Sequence, residues 1–187
     1  MEIKLTSGKK LVIERDDYAN DPRQEWDYLW TWVSNSNRYF RSDKGADENI
    51  LSAYFEDEES RAELMKNYIA VPIYAYIHSG ATISLKPFSC PWDSGVGFIA
   101  YIERDDLKRE GIDEEQAMNI LEGEVEEFDH YLRGHVYWFG IENEDGENED
   151  SCGGFLGMEH LLTDLMGNNE ISKEDWEKIK DLKDWDI

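Results

Sequence analysis

The chain has 187 residues, enough for one domain with its own hydrophobic core. Its 43 acidic residues against 19 Lys and Arg give a formal net charge of −24, which disfavours direct binding to nucleic acid or to an anionic membrane. Because 13% of the residues are aromatic, we expect the chain to fold despite this charge. The charge favours a basic protein as the partner.

The first half of the chain predicts a hairpin, short helices and one long strand. Pro72 lies inside that strand and indicates a strand start or a sheet edge. In chain order the pattern predicts a hairpin of strands 2–6 and 10–14, a loop over 16–24, a short aromatic helix over 25–33, a polar loop over 34–46, a helix capped by Asp47, a second helix over 61–68 and a strand over 69–77.

The second half predicts two further strands, the clearest helix of the chain and a second hairpin. The helix over 113–132 carries an apolar stripe of Ala117, Leu121, Val125, Phe128 and Leu132, and Gly134 ends it. The other predicted elements are strands at 81–85, 95–103 (apolar enough to be central), 135–143 and 150–157, and helices at 158–166 and 171–185, the last with a capping box of Ser172 and Asp175. This order favours an α+β fold, mainly an antiparallel sheet with helices packed on it, as a single domain over residues 1–187.

Three segments carry a family resemblance. They are DPRQEWDYLWTWVSNSNRYF (21–40), YAYIHSGATISLKPFSCPWDSGVGFIAYI (74–102) and AMNILEGEVEEFDHYLRGHVYWFGIENEDGENEDSCGGFLG (117–157). They resemble a largely uncharacterised family of small acidic proteins carried by phages, plasmids and integrated elements of Gram-positive bacteria. The HSG…PFSCPWDSG…GFI signature is its most specific part. The resemblance implies a mobile-element context and no particular reaction.

The chain departs from the family pattern at two places. Where the family tends to have a Gly followed by a His-Arg-Arg-Tyr run, this chain has Trp30 and then Ser36-Asn37-Arg38-Tyr39. Gly153 stands where an aromatic residue is expected. A function that depends on the basic run is therefore not carried over to this chain.

The first candidate site combines His78, Cys90 and Asp93, and Cys152 is a further candidate metal ligand. Cys and His are zinc ligands, and a Cys-His pair oriented by an Asp is a nucleophilic arrangement, but the chain has no paired C-x-x-C or H-x-x-x-H spacing. We favour a structural turn, in which Asp93 and Ser94 form hydrogen bonds with the local backbone, Gly95 adopts a positive φ and Trp92 anchors the turn in the core.

The second candidate site is acidic. Residues 101–150 contain 18 acids and four Lys or Arg, a net −14. Glu115, Glu122, Glu126 and Asp129 form a row beside the apolar stripe of the 113–132 helix, with Glu127 next to them. The hairpin tip adds Glu142, Glu144, Asp145, Glu147, Glu149 and Asp150. A solvated face, a phosphate-mimicking surface and a metal, calcium or acid–base site are the alternatives for these carboxylates.

The aromatic residues Trp26, Tyr28, Trp30 and Trp32 form the last candidate. Core packing is the ordinary explanation for such a cluster. The alternative is a binding patch, because Trp and Tyr are enriched at interface hot spots.

Together these features predict a non-enzymatic protein that inhibits a host nucleic-acid-directed defence by DNA or RNA mimicry. The expected partner is a basic nucleic-acid-binding defence protein, such as a restriction enzyme or a CRISPR effector, in the bacterial host cytoplasm. We expect no cofactor, no bound metal, no direct nucleic-acid contact and no membrane contact, and a homodimer is left open. The alternatives are an enzyme or metal-binding protein that uses His78, Cys90 and Asp93, and a protein-binding regulator that uses the aromatic patch.

Overall fold

The computed structural model describes residues 1–36 and 38–187. It contains helices and two four-stranded antiparallel sheets, which confirms the predicted α+β class. The chain divides into a terminal unit (Met1–Ala19 with His130–Ile187) and a middle unit (Asn20–Asp129). The single domain over residues 1–187 stays a prediction.

The helices and strands follow the predicted order in outline. They are β1 (Glu2–Lys4), β2 (Lys10–Arg15), α1 (Pro22–Glu25), β3 (Thr31–Ser34), α2 (Glu48–Glu56), α3 (Glu58–Asn67), β4 (Tyr68–Ile77), β5 (Ala81–Ser84), β6 (Ser94–Glu103), α4 (Arg104–Glu110), α5 (Glu114–Leu132), β7 (Val136–Glu142), β8 (Asn148–Leu156), α6 (Met158–Gly167), α7 (Lys173–Ile179) and a 3-10 helix (Asp184–Asp186).

The terminal unit is built on the sheet β1-β2-β7-β8, in which both predicted hairpins are present. Alternate residues of a strand point to the same face, so one face of β2 and β7 supplies the core. This face and the apolar side of α6 share a cluster that includes Leu11, Ile13, Tyr137, Phe139, Ile141, Leu161 and Leu165. The last predicted helix is too long, because α7 ends at Ile179 and the chain then turns so that Leu182 packs against this cluster.

The middle unit is built on the sheet β3-β6-β4-β5, with β6 in the predicted central position. The edge prediction for Pro72 is confirmed locally. Pro72 pairs with Ile99 of β6, whereas β5 pairs only with Tyr74–Ile77 of β4. Since proline has no N–H to donate, it lies where β4 has a strand on one side only.

The predicted helix over 25–33 is wrong. Asp21 caps a single helical turn that ends at Glu25, and Thr31–Ser34 then pair with β6 as β3. Thr, Trp and Val are residues that favour a strand, and here the pairing with a central strand prevails over the local aromatic pattern. The polar loop predicted over 34–46 includes Asn37, which lies outside the described residues.

The predicted helix over 113–132 is confirmed as α5. Ala117, Leu121, Val125 and Phe128 are buried, as the stripe predicts. Residues 104–110, for which no helix or strand is predicted from the sequence, form α4, and Gly111 ends this helix in the left-handed conformation. Among the described residues, no helix combines the length and the apolar character that a membrane span needs.

Candidate functional site

One face of α5 in the middle unit presents a row of exposed carboxylates. Glu115, Glu122 and Glu126 are all exposed. At 100° per residue they lie within about 40° of one another around the helix axis, and they extend over about 16 Å along it. The helix contains seven Asp and Glu and no Lys or Arg, so no base within α5 neutralises the row.

Two acids that the sequence placed with this row are engaged elsewhere. Asp129 is partly buried and accepts hydrogen bonds from Thr82 Oγ1 at 2.5 Å and from the Ile83 N–H at 2.8 Å. Its carboxylate therefore helps to hold β5. Glu127 is also partly buried and lies near Tyr28. Burial raises the pKa of the Tyr28 hydroxyl, and the negative charge of Glu127 raises it further. We call Glu115, Glu122 and Glu126 the helix row.

A further acid of α5 is buried, which the sequence analysis missed. Glu124 accepts a hydrogen bond from Arg23 Nη1 at 2.8 Å and others from the N–H groups of Leu29 and Trp30. Burial raises the pKa of Glu124, and the contact with Arg23 opposes that rise. Arg23 also pairs with Asp43. One feature of the sequence could have indicated that Glu124 is buried, because it lies next to Val125 of the apolar stripe.

The hairpin β7–β8 carries the second group of acids, in the terminal unit. Three of its six are engaged by residues outside the hairpin. Glu142 pairs with Lys10 at 2.8 Å, Glu149 pairs with Lys9 at 2.8 Å, and Asp150 accepts a hydrogen bond from an Asn168 amide. The hydrogen bond from Lys9 lowers the pKa of Glu149.

The other three acids of this hairpin, Glu144, Asp145 and Glu147, are exposed around its turn. We call them the hairpin acids. In the part of the chain that the structure describes, the acids of this hairpin do not converge into a group of three ligands, which weakens the calcium alternative.

His78, Cys90 and Asp93 are brought together in the middle unit. Asp93 Oδ2 lies 3.5 Å from His78 Nδ1 and 3.7 Å from Cys90 Sγ, so the carboxylate stands between the thiol and the imidazole. A nucleophilic pair needs the base to contact the thiol, whereas here the thiol faces the carboxylate. The other predicted ligand, Cys152, is exposed on β8 of the terminal unit.

The surrounding turn matches the structural interpretation in part. The carbonyl of Asp93 accepts the Ile77 N–H at 2.8 Å, and Ser94 Oγ donates to the carbonyl of Cys90. The prediction for Trp92 is wrong, because its side chain is 91% exposed and does not enter the core. The prediction for Gly95 is also wrong, since Gly95 pairs with Ala75 as the second residue of β6 and is not among the positive-φ glycines.

The aromatic cluster is divided between core and surface. Trp30 and Trp32 are fully buried, and the indole N–H of Trp30 donates to the carbonyl of Ala117 at 2.8 Å. Trp32 packs against Phe98 and Phe128. Core packing is confirmed for these two, and Trp26, which is 49% exposed, is the main part left for a binding patch.

Comparison with protein-family models, curated proteins and solved structures finds no match to this chain. The family resemblance therefore stays a prediction, and a function rests on the geometry described above.

Proposed function

We propose that this protein inhibits a host nucleic-acid-directed defence, a restriction enzyme or a CRISPR effector, by mimicking DNA or RNA with a folded acidic surface. It acts without catalysing a reaction. The observation that carries the proposal is the helix row, three exposed carboxylates on one face of a helix without Lys or Arg. The mobile-element origin rests on the sequence resemblance alone.

The spacing of the helix row supports mimicry of one strand. Its intervals of seven and four residues correspond to about 10.5 Å and about 6 Å along the helix axis. One strand of duplex DNA carries a phosphate per about 3.4 Å of its axis, so three steps span about 10 Å and two steps about 7 Å. A groove that binds consecutive phosphates would therefore meet the three carboxylates near phosphate positions.

The net charge favours the same kind of partner. At −24 the chain repels nucleic acid and attracts a basic groove, and the attraction weakens as salt screens it. The hairpin acids are a second exposed acidic surface, in the terminal unit, and they are proposed to add to this attraction.

The test is an inhibition assay with purified restriction enzymes and CRISPR effectors, at low and at high salt. The variant Glu115→Lys/Glu122→Lys/Glu126→Lys reverses the helix row and leaves Asp129 in place. Its matched control, Glu56→Lys/Glu63→Lys/Glu110→Lys, reverses three other exposed acids of the middle unit, so that both variants have a net charge of −18. Circular dichroism checks that both are folded.

We expect the wild type to inhibit at least one enzyme of the panel at low salt and less at high salt. The helix-row variant should lose inhibition at least tenfold more than the control, because an ion pair at 4 Å is worth about 1 kcal/mol even in water. Equal loss in the two variants would mean that net charge alone acts. Inhibition that is unchanged by salt would favour a regulator that binds through its aromatic patch.

A second candidate function, an enzyme or metal-binding protein, is favoured by the grouping of His78, Cys90 and Asp93 around one carboxylate. The variants Cys90→Ser and His78→Ala test it. Loss of inhibition in these variants, with the helix-row variant still active, would move the function to this turn. Unchanged inhibition in both variants would leave the turn with a structural role.

A further inference from the structure

A cluster of two histidines and one aspartate lies in the terminal unit, outside every site described above. His130 is in the last turn of α5, His135 directly precedes β7, and Asp184 begins the 3-10 helix near the end of the chain. One ligand atom from each of the three lies within 4.8 Å of the other two. The sequence offered one signal, because four residues separate His130 from His135 and this spacing is typical of zinc ligands, but Asp184 follows much later.

The two imidazoles face the carboxylate with nitrogens that have no hydrogen-bond partner. Asp184 Oδ2 lies 3.8 Å from His130 Nδ1 and 3.6 Å from His135 Nδ1. These separations are too long for hydrogen bonds. Both Nδ1 atoms are nevertheless buried and make none, and a buried polar atom without a partner costs free energy.

The two separations between histidine and aspartate are close to those around a shared cation. Zinc binds imidazole nitrogen and carboxylate oxygen at about 2.0–2.2 Å, and in a tetrahedral site this places neighbouring ligand atoms about 3.3–3.5 Å apart. The observed 3.6 Å and 3.8 Å need only a few tenths of an ångström of closure. An ion at the centre would satisfy both buried nitrogens and the charge of Asp184.

The rest of the structure holds Asp184 in this position. Its Oδ1 accepts the Met158 N–H at 2.9 Å, and its carbonyl accepts Tyr137 Oη and an Arg15 nitrogen, each at 3.1 Å. Oδ2 is thus left to face the histidines. Such contacts outside the ligand set are what orients the ligands of metal sites.

The histidines are held as well. The His135 N–H donates to the carbonyl of His130 at 2.8 Å, and the carbonyl of His135 accepts the Gly157 N–H at 2.9 Å. Gly157 has a φ of +92°, and a Cβ at this position would lie 2.8 Å from His130 Nε2. A glycine here makes room for the His130 ring.

We propose that His130, His135 and Asp184 form a binding site for a divalent transition-metal ion of the zinc type. Two imidazoles with one carboxylate suit zinc, cobalt or nickel better than magnesium or calcium, which prefer oxygen ligands. Three protein ligands leave a fourth position for water. The ion would fasten the C-terminal turn to the end of α5 and the start of β7. This inference is independent of the proposed function.

The test titrates zinc chloride into the chelator-treated, full-length protein by calorimetry, with magnesium chloride as the comparison. We expect about one zinc ion per chain, a higher melting temperature with zinc and no effect of magnesium. His135→Gln and Asp184→Asn should each weaken zinc binding at least tenfold. The Asn keeps an oxygen that accepts the Met158 N–H. The matched control is His160→Gln, at an exposed histidine of α6, and it should bind zinc as the wild type does.

A measurement on the wild type makes the result independent of how the variants fold. Zinc should shift the imidazole NMR signals of His130 and His135 and leave those of His78 and His160 unchanged. The proposal is overturned if no zinc binds more tightly than about 1 mM. It is also overturned if the shifted signals are those of His78, or if the double variant His78→Gln/Cys90→Ser abolishes binding while His135→Gln and Asp184→Asn do not.

Discussion

The Asp175 carboxylate joins α7 to the first hairpin of the terminal unit. Its side chain is fully buried. It accepts the Thr6 N–H at 3.0 Å, the Thr6 hydroxyl at 2.7 Å, the Ser172 hydroxyl at 2.6 Å and Lys178 Nζ at 2.8 Å. Burial alone would raise the pKa of Asp175, but these donors outweigh it and hold the pKa far below its ordinary value of 3.8.

We predict that Asp175→Ala destabilises the protein by about 2–4 kcal/mol. A hydrogen bond to a charged group is worth about 1.5–3 kcal/mol, but the hydroxyl donors can turn to water and the half-exposed Lys178 contributes less than about 1 kcal/mol. The measurement is urea unfolding followed by circular dichroism at neutral pH. The control is Asp181→Ala, at an exposed aspartate just beyond α7, and it should change stability by less than about 0.5 kcal/mol.

The same carboxylate predicts a pH dependence. A carboxyl whose pKa is lowered by folding stabilises the protein above its unfolded pKa, and this contribution is lost as the pH falls through the folded pKa. The stability gap between wild type and Asp175→Asn should therefore shrink on acidification from about pH 5. A cost of Asp175→Ala below about 1 kcal/mol, or a gap that is the same at pH 3 as at pH 7, would refute this reasoning.

Two further predictions concern the middle unit. Arg23→Ala should lower the free energy of unfolding in urea by about 3–5 kcal/mol, because it leaves Glu124 buried without its cation. The control Arg41→Ala, at an exposed position, should be nearly neutral. A cost below about 1 kcal/mol for Arg23→Ala would contradict the buried pair. Trp92→Ala should lower the free energy of unfolding by less than about 0.5 kcal/mol and Trp32→Ala by about 3–5 kcal/mol, since Trp92 is 91% exposed and Trp32 is fully buried. Equal costs for the two variants would mean that Trp92 packs in the core after all.

Local periodicity explains the parts of the fold that the sequence predicted. The apolar stripe of α5 and the alternation of apolar residues in β2 and β7 mark the face of each element that packs on the core. Such periodicity is visible within a short segment of the sequence. The turn residues of both hairpins act within four or five positions, so they too are visible locally. The helix prediction for residues 25–33 was wrong because pairing with β6 decides the conformation of this segment, and β6 is distant in the sequence.

The candidate sites divide in the same way. The helix row follows from helical spacing, so Glu115, Glu122 and Glu126 could be found from the sequence, whereas the engagement of Asp129 by β5 could not. The proposed metal site depends on Asp184, which only the folded chain places beside the two histidines. Contacts between distant segments are what the residue pattern does not contain.

The proposed function requires that the helix row occupies the nucleic-acid groove of a defence enzyme. The most direct measurement is displacement of a labelled nucleic acid from an enzyme that the protein inhibits, read by fluorescence anisotropy. We expect the wild type to displace the nucleic acid competitively. The Glu115/Glu122/Glu126 reversal should weaken displacement at least tenfold more than the Glu56/Glu63/Glu110 reversal. Inhibition without displacement, or equal weakening by the two reversals, would contradict it.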